Sequence, residues 1–267
     1  MNFPRDSLYN AEQAHTLDRL AIAAGTPSAS LMARAGEAAW RCLRWQWPRA
    51  RRIAVLCGAG NNGGDAYVLA QAAQRAGRDV RLIAPTPPAT VDARAAAQTA
   101  QQAGARVQDY RRDVFTDCDV VVDGLFGVGL ERDVVGIQAE IIAAANASGV
   151  PIFALDIPSG LDADTGRVRG IATKADLTLS FIGLKAGLFT GHGPEYAGRV
   201  RCDDLAVPAS VYAQVTPHAE RILPERLVLP RRARHAHKGE VGHVWVAGGI
   251  RGMSGAALLC SAAAYRV

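Results

Sequence analysis

The chain has 267 residues, 49% of them hydrophobic and 21% charged, the balance of an ordinary globular protein with room for one large domain or one and a half average ones. Its net charge of +5 (pI about 9.1) is carried by arginines that cluster only at Arg49–Arg52 and Arg231–Arg234. That pattern argues for solvated faces rather than a nucleic-acid site, and leaves a modest attraction for anionic ligands. The five cysteines are widely separated and never in C-x-x-C, which argues against a disulfide framework and a zinc site.

Residues 1–10 carry Pro4, Arg5 and Asp6 with no apolar signal-type run, and no stretch of about 18 apolar residues follows, so no membrane contact is expected and the location is read as cytoplasmic. Asn10 and Gln13 have the form of a capping box, after which Ala14, Leu17, Ala21 and Ala24 recur on one helical face up to Gly25. His15, Asp18 and Arg19 fall elsewhere on that helix, with His15 read as a surface residue beside a carboxylate. Thr26 as cap and Pro27 at the first helical position predict a second helix running to about Trp45. Gly36 inside it implies close packing against another element, and Trp40, Trp45 and Trp47 read as core or interface anchors. Two helices ahead of the first strand must pack on the later core or on another subunit, which makes a homodimer an expectation.

The apolar run Ile53-Ala54-Val55-Leu56 reads as a buried strand, and Cys57-Gly58-Ala59-Gly60-Asn61-Asn62-Gly63-Gly64-Asp65 follows it. Four glycines, two amides and a carboxylate make a loop that can bring bare N–H groups against a ligand, whether phosphate, cation or sugar hydroxyls. The plainer alternative is an Asn-Gly turn with Asp65 as a helix cap. Gly58, Gly60 and Gly63 match G-x-G-x-x-G by spacing alone. Strands at 53–57, 80–84, 119–122, 151–155 and 177–182 alternate with helices at 66–76, 91–103 and 135–147. This order predicts an α/β, Rossmann-like, doubly wound and mostly parallel sheet with helices on both faces and two extra N-terminal helices.

Ligands of such sheets bind outside the carboxyl ends of the strands. Three more strand exits carry chemistry there: Asp123-Gly124-Leu125-Phe126-Gly127-Val128-Gly129-Leu130, Asp156-Ile157-Pro158-Ser159-Gly160-Leu161-Asp162, and Gly183-Leu184-Lys185-Ala186-Gly187. Any one of them could be turn chemistry around a solvated charge. Their convergence with the Asn-rich loop points to a site.

These stretches, with Leu31-Met32-Ala33-Arg34-Ala35-Gly36, resemble the YjeF N-terminal family, which contains the NAD(P)H-hydrate epimerases; the resemblance covers about residues 5–215 in order. A second resemblance begins at His237-Lys238-Gly239-Glu240-Val241-Gly242-His243-Val244-Trp245-Val246-Ala247-Gly248-Gly249 and continues through Gly252-Met253-Ser254-Gly255-Ala256-Ala257. It is similar to the opening of the ribokinase-like NAD(P)H-hydrate dehydratase domain. The expected organisation is therefore an epimerase domain at 1–215, a linker at 216–236, and at 237–267 an incomplete dehydratase start of one strand and one helix. That start lacks the nucleotide-binding loop and catalytic acid, so no dehydratase activity is expected from it.

The resemblance implies epimerisation of the R and S forms of hydrated NADH and NADPH (NADHX and NADPHX), feeding an S-specific dehydratase that is fused or separate. It implies that Asn61, Asn62, Gly63, Gly64 and Asp65, with Gly127, Val128, Gly129, Leu130, Glu131, Arg132 and Asp133, cradle the substrate, and that Asp156 contacts the damaged ring. It also implies a potassium ion held by Asn62, Asp123 and Ser159. The residues agree in kind, since a hard cation wants such oxygens. Inverting a carbon that carries a hydroxyl beside a ring nitrogen needs a carboxylate near the ring and a second proton carrier. Asp156 is the candidate acid/base and Lys185 its partner, although Lys185 could instead hold a phosphate or pair with Asp156 structurally. Two other functions compete. A scaffold module of the same fold could dispense with Asn62, Asp123, Asp156 and Ser159, and a nicotinamide-dependent oxidoreductase would want an acidic residue where Arg81-Leu82-Ile83-Ala84-Pro85 offers none.

Overall fold

The computed structural model describes residues 6–224, 233–237, 239–240 and 242–266. Pro4, Arg5, Lys238, Val241 and residues 225–232 of the expected linker, Arg231 and Arg232 among them, lie outside the described residues. The chain divides into two units, Met1–Arg221 and Ile222–Val267.

The first unit is built on β2 (Arg52–Cys57), an interior strand of a seven-stranded parallel sheet with β3 (Asp79–Ile83), β4 (Val107–Gln108), β5 (Val120–Gly124), β6 (Ile152–Leu155), β7 (Leu177–Phe181) and β9 (Arg199–Asp203). The order is β4-β3-β2-β5-β6-β7-β9, so the chain winds one way from β2 to β3 and the other way from β2 to β5. The switch point between β2 and β5 is where a doubly wound sheet opens a crevice. Both faces are covered, as continuous apolar strands require. Ile53, Val55 and Cys57 pack on one side with α2 (Ser28–Gln46), α3 (Asn61–Arg75) and α4 (Val91–Gln102), while Ala54, Leu56 and Val121 pack on the other against Ile141, Ile142 and Ala145 of α5 (Gly136–Ala147).

The first helix, α1 (Ala11–Ala23), has the expected capping box: Gln13 N–H donates to Asn10 Oδ1 at 2.8 Å and Asn10 N–H to Gln13 Oε1 at 3.1 Å. The second is capped one residue later than read, at Pro27, without a side-chain hydrogen bond. Gly36 packs as expected, since a Cβ there would lie 2.4 Å from Val68 Cβ of α3. Both helices find partners within the chain, so their presence does not by itself call for a second subunit. Trp40 is buried and Trp47 meets the Phe153 ring at 6.0 Å, but Trp45 is exposed on the outer side of α2, where the Arg201 guanidinium lies 3.9 Å from its ring centre.

A small second sheet was not foreseen: β10 (Ala219–Glu220), β1 (Ser7–Tyr9) and β8 (Leu184–Lys185), in the order β10-β1-β8. Its strands are two or three residues long, too short for a periodic signal. Residues 219–220, read as linker, therefore pair with the N-terminal strand of the first unit. In the second unit the described residues 242–250 form no strand, and a helix (Gly255–Arg266) follows with no buried residue. An apolar run becomes a strand only where another strand accepts its hydrogen bonds, and the described residues of that unit supply none.

Candidate functional site and relatives

Helix α3 starts earlier than the sequence implied. Gly60 is its N-cap and Asn61–Asp65 form its opening turns, so Asp65 is inside the helix and not its cap. Gly64 N–H makes the bond back to Gly60 O at 3.2 Å, which leaves the N–H groups of Asn61, Asn62 and Gly63 at the positive end of a 15-residue helix. Packing explains why glycines are needed. A Cβ on Gly58 would stand 1.8 Å from Leu125 O, and one on Gly63 2.0 Å from Gly58 O, so the loops after β2 and β5 touch backbone to backbone.

A cavity of about 880 Å³ opens over this switch point. Of the expected substrate residues, Asn61, Asn62, Asp65, Gly127, Val128, Gly129, Leu130, Glu131, Arg132 and Asp156 line it, together with Lys185. Gly63, Gly64 and Asp133 do not. Gly63 lies against Gly58, Gly64 packs on Met32 and Ala93, and Asp133 is exposed beside Gly170. Asp123 and Ser159 lie beneath the lining, fully buried.

Asp156 leaves β6 in the left-handed region at φ 64°, a strained place for a residue with a side chain. Several contacts hold it there. Its N–H donates to Leu179 O at 2.8 Å, and its Oδ1 accepts Phe181 N–H at 3.0 Å and an ion-paired hydrogen bond from Lys185 Nζ. Lys185, only 3% exposed, also donates to Phe181 O at 2.9 Å and Ser180 Oγ at 3.2 Å, which accounts for its three protons. Ile182, also left-handed at φ 64°, turns the chain from β7 into β8 and so delivers Lys185 to Asp156.

Below the cavity, Ser159 donates Oγ–H to Asp123 Oδ1 at 2.6 Å and N–H to Oδ2 at 2.9 Å. Burial pushes the Asp123 carboxyl upward, and the Ser159 hydrogen bonds oppose it. Asn62 donates Nδ2 to Phe126 O at 2.8 Å and to Leu155 O at 3.1 Å, while its buried Oδ1 has no partner. Among the described residues no group of three or more His, Cys, Asp or Glu side chains converges as a metal site.

The turn at residues 160–170 joins two walls of the cavity. Asp164 Oδ1 accepts Ala11 N–H of α1 at 2.6 Å. Arg169, ion-paired with Asp162, donates to Glu131 O at 3.1 Å in the loop after β5.

Sequence reasoning missed the contribution of α1. His15, Asp18 and Ile22 all line the cavity, although His15 is otherwise exposed. Their spacing of three and four was a helical-face signal beside the apolar Ala14, Leu17 and Ala21 stripe. The sequence did not say what that flank would face. Burial pushes the Asp18 carboxyl up, with Lys185 opposing and Asp156 adding to it. Asp65 is held well above the usual carboxylate range by burial and by Asp156 and Asp18, against Lys185.

The family model described as YjeF-related protein N-terminus matches residues 28–187, more than half of the chain. Over 265 residues the chain is 40% identical to the bifunctional NAD(P)H-hydrate repair enzyme Nnr of Coxiella burnetii, covering 97% of this chain and 54% of that protein. It is 39% identical over 183 residues to the NAD(P)H-hydrate epimerase of Limosilactobacillus fermentum, covering 66% of this chain and 85% of that one. The chain thus spans about half the length of the bifunctional relative and most of the single-activity one. Among solved structures, yeast ynu0 superposes with a TM-score of 0.70 at 17% identity, over 82% of this chain and 96% of that chain, a likeness of fold. The glycine-lined switch point, the strand-exit carboxylates and these matches agree, and the chain belongs to the YjeF-related N-terminal family.

Proposed function

We propose that this chain interconverts the R and S forms of hydrated NADH and NADPH. The observation that carries the reading is Asp156: a carboxylate held in a left-handed backbone by Phe181 and Lys185, presented to the cavity at the sheet's switch point. The names of the relatives support the same substrate. The cavity suits a dinucleotide whose phosphates meet the free N–H groups at the start of α3, with Arg132 of the opposite loop supplying positive charge.

In a hydrated nicotinamide the hydroxyl-bearing carbon adjoins the ring nitrogen. Losing that hydroxyl as water leaves a planar iminium, and water returning on the other face inverts the centre. Asp156 stabilises the cation and moves a proton. Lys185, with its protons committed, orients and compensates Asp156 rather than carrying a proton itself.

Potassium fits the residues beneath the cavity. Asn62 Oδ1 is a buried acceptor lacking a donor, and Asp123 and Ser159 add a carboxylate and a hydroxyl, the hard oxygen set that a monovalent cation takes. The ion would supply charge neutralisation at Asp123 and hold the first turn of α3 together with the loops after β5 and β6. Residues 237–267 are read as the incomplete start of a dehydratase domain, with no dehydration expected from them alone. The S epimer made here would pass to such an activity.

Incubation of the full chain with the pure R epimer of hydrated NADPH in potassium buffer tests the reading through the R to S ratio, with Asp156→Asn alongside. Asn tolerates the left-handed region, so the variant should fold while equilibration slows by about 10²–10⁴-fold. A folded, potassium-loaded chain that fails to exceed the spontaneous rate would leave the scaffold reading in its place.

A further inference from the structure

Inverting a hydroxyl-bearing carbon through a planar cation needs a proton donor on the face the hydroxyl leaves and an acceptor on the face where water returns. One carboxylate beside the ring serves one face. Lys185 cannot serve the other, because Asp156, Ser180 and Phe181 take all three of its protons.

Three further carboxyls line the cavity: Asp18 on α1, Asp65 in the opening turns of α3, and Glu131, which is exposed to solvent in the loop after β5. Asp18 and Asp65 are half-buried, and among the described residues neither of these two side chains has a hydrogen bond or an ion pair. A half-buried carboxyl without a partner, aimed at a cavity, is costly unless a ligand completes it. Asp65 belongs to the same helix start as the nucleotide-binding turn, the end of the cavity proposed for the phosphates, and burial with Asp156 and Asp18 raises it further from an acceptor's range. Asp18 is borne by a different element from Asp156, and it reaches the cavity between the other two lining residues of its flank, His15 and Ile22. The charges facing it are His15 on its own helix, Lys185 and Asp156 from the strand exits, and Asp65 from α3.

We infer that Asp18 is the second proton carrier of the reaction, serving the ring face that Asp156 does not. The inference rests on the epimerase reading. In one direction the protonated Asp18 carboxyl gives its proton to the departing hydroxyl. The C–O bond breaks, its electron pair leaves with water, and the nitrogen lone pair forms the C=N bond of the iminium. A water then adds to the opposite face, its C–O bond forming as the π pair returns to nitrogen and its proton passes to the Asp156 carboxylate. Water is neither gained nor lost overall, and the two carboxyls have exchanged protonation states, ready for the reverse direction.

Steady-state kinetics of the full chain with Asp18→Asn and Asp18→Ala test this, with the melting transition checking that each variant is folded. The expected result for Asp18→Asn is a fall in kcat of about 10²–10⁴-fold with KM within about threefold. Asp18→Ala should regain rate on adding formate, saturably, while formate leaves the parent chain unchanged. A structural role gives no such rescue. An Asp18→Asn kcat within about threefold of the parent, a change confined to KM, or an Asp18→Ala chain that formate does not accelerate overturns the inference. If the parent chain itself does not epimerise, the failure is of the epimerase reading; if the parent is active and Asp18→Asn is too, only the role of Asp18 falls.

Discussion

Lys185 and Asp156 form an ion pair that is closed at one end and open at the other: the lysine is 3% exposed, while the aspartate side chain, 14% exposed, looks into the cavity. Removing the cation would leave Asp156 strained, partly buried and uncompensated. Lys185→Met should therefore cost about 3–5 kcal/mol in urea denaturation, the scale of breaking a buried pair. Lys185→Arg should not restore it, because a planar fork cannot reach Asp156, Ser180 and Phe181 from one point. A Met variant within about 1 kcal/mol of the parent would show that the pair is not holding the site.

The glycines after β2 and β5 should not be equivalent. Gly58→Ala puts a Cβ 1.8 Å from Leu125 O and Gly63→Ala puts one 2.0 Å from Gly58 O, backbone atoms that cannot yield cheaply. At Gly60 and Gly129 nothing lies within 4 Å. Thermal melts should find the first two substitutions destabilised by about 3 kcal/mol or more, at the upper end for overpacked sites because backbone is met, and the last two within about 1 kcal/mol. Equal behaviour of the four would contradict the backbone contact between the loops.

Potassium binding is readable without activity. Melting in potassium chloride should exceed melting in tetramethylammonium chloride at equal ionic strength, by about 2.7 kcal/mol once the ion is a hundredfold above its dissociation constant. Asn62→Ala removes the unpartnered Oδ1 and should melt alike in both salts. A parent chain indifferent to the salt would remove the ion from the account.

Stability should fall as pH rises from the ordinary carboxylate range, about 4, up through the folded-state value of Asp65. The sign follows from the raised pKa of that carboxyl: across this window the folded chain keeps a proton that the unfolded chain has released. Asp65→Asn should flatten the slope and stabilise the chain near neutral pH. Melts from about pH 5 to about pH 8 check this, and a variant whose slope matches the parent would assign the dependence to other groups.

The small sheet predicts where the first unit can be cut. A chain ending after Arg221 keeps β10 paired with β1, and keeps Arg221 N–H on Asp6 O at 2.7 Å. One ending after Val215 loses both. The longer piece should melt cooperatively and epimerise like the full chain, and the shorter should melt lower. The reverse order would assign 216–221 to the linker after all.

The parallel sheet was legible because β2, β5, β6 and β7 are apolar runs with chemistry at their exits, and their bounds came within a residue or two. The start of α3 was misread for a physical reason: Asn61-Asn62-Gly63-Gly64 has poor helix propensity, and the packing of Gly63 on Gly58 and of Gly64 on Met32 overrides it. Two-residue strands such as β8 and β10 carry no period at all. The pairing of Lys185 with Asp156 was legible as an alternative, whereas the flank of α1 was not, because nothing in residues 11–23 states that His15 and Asp18 will share a cavity with Asp156 and Lys185, far along the chain.

The turn at 160–170 binds Ala11 through Asp164 and Glu131 through Arg169. The helix that carries Asp18 and the loop that carries Arg132 are thus coupled mechanically in series, through one short segment. Both walls are thus tethered to the same few residues, and cutting either tether, at Asp164 or at Arg169, should loosen both.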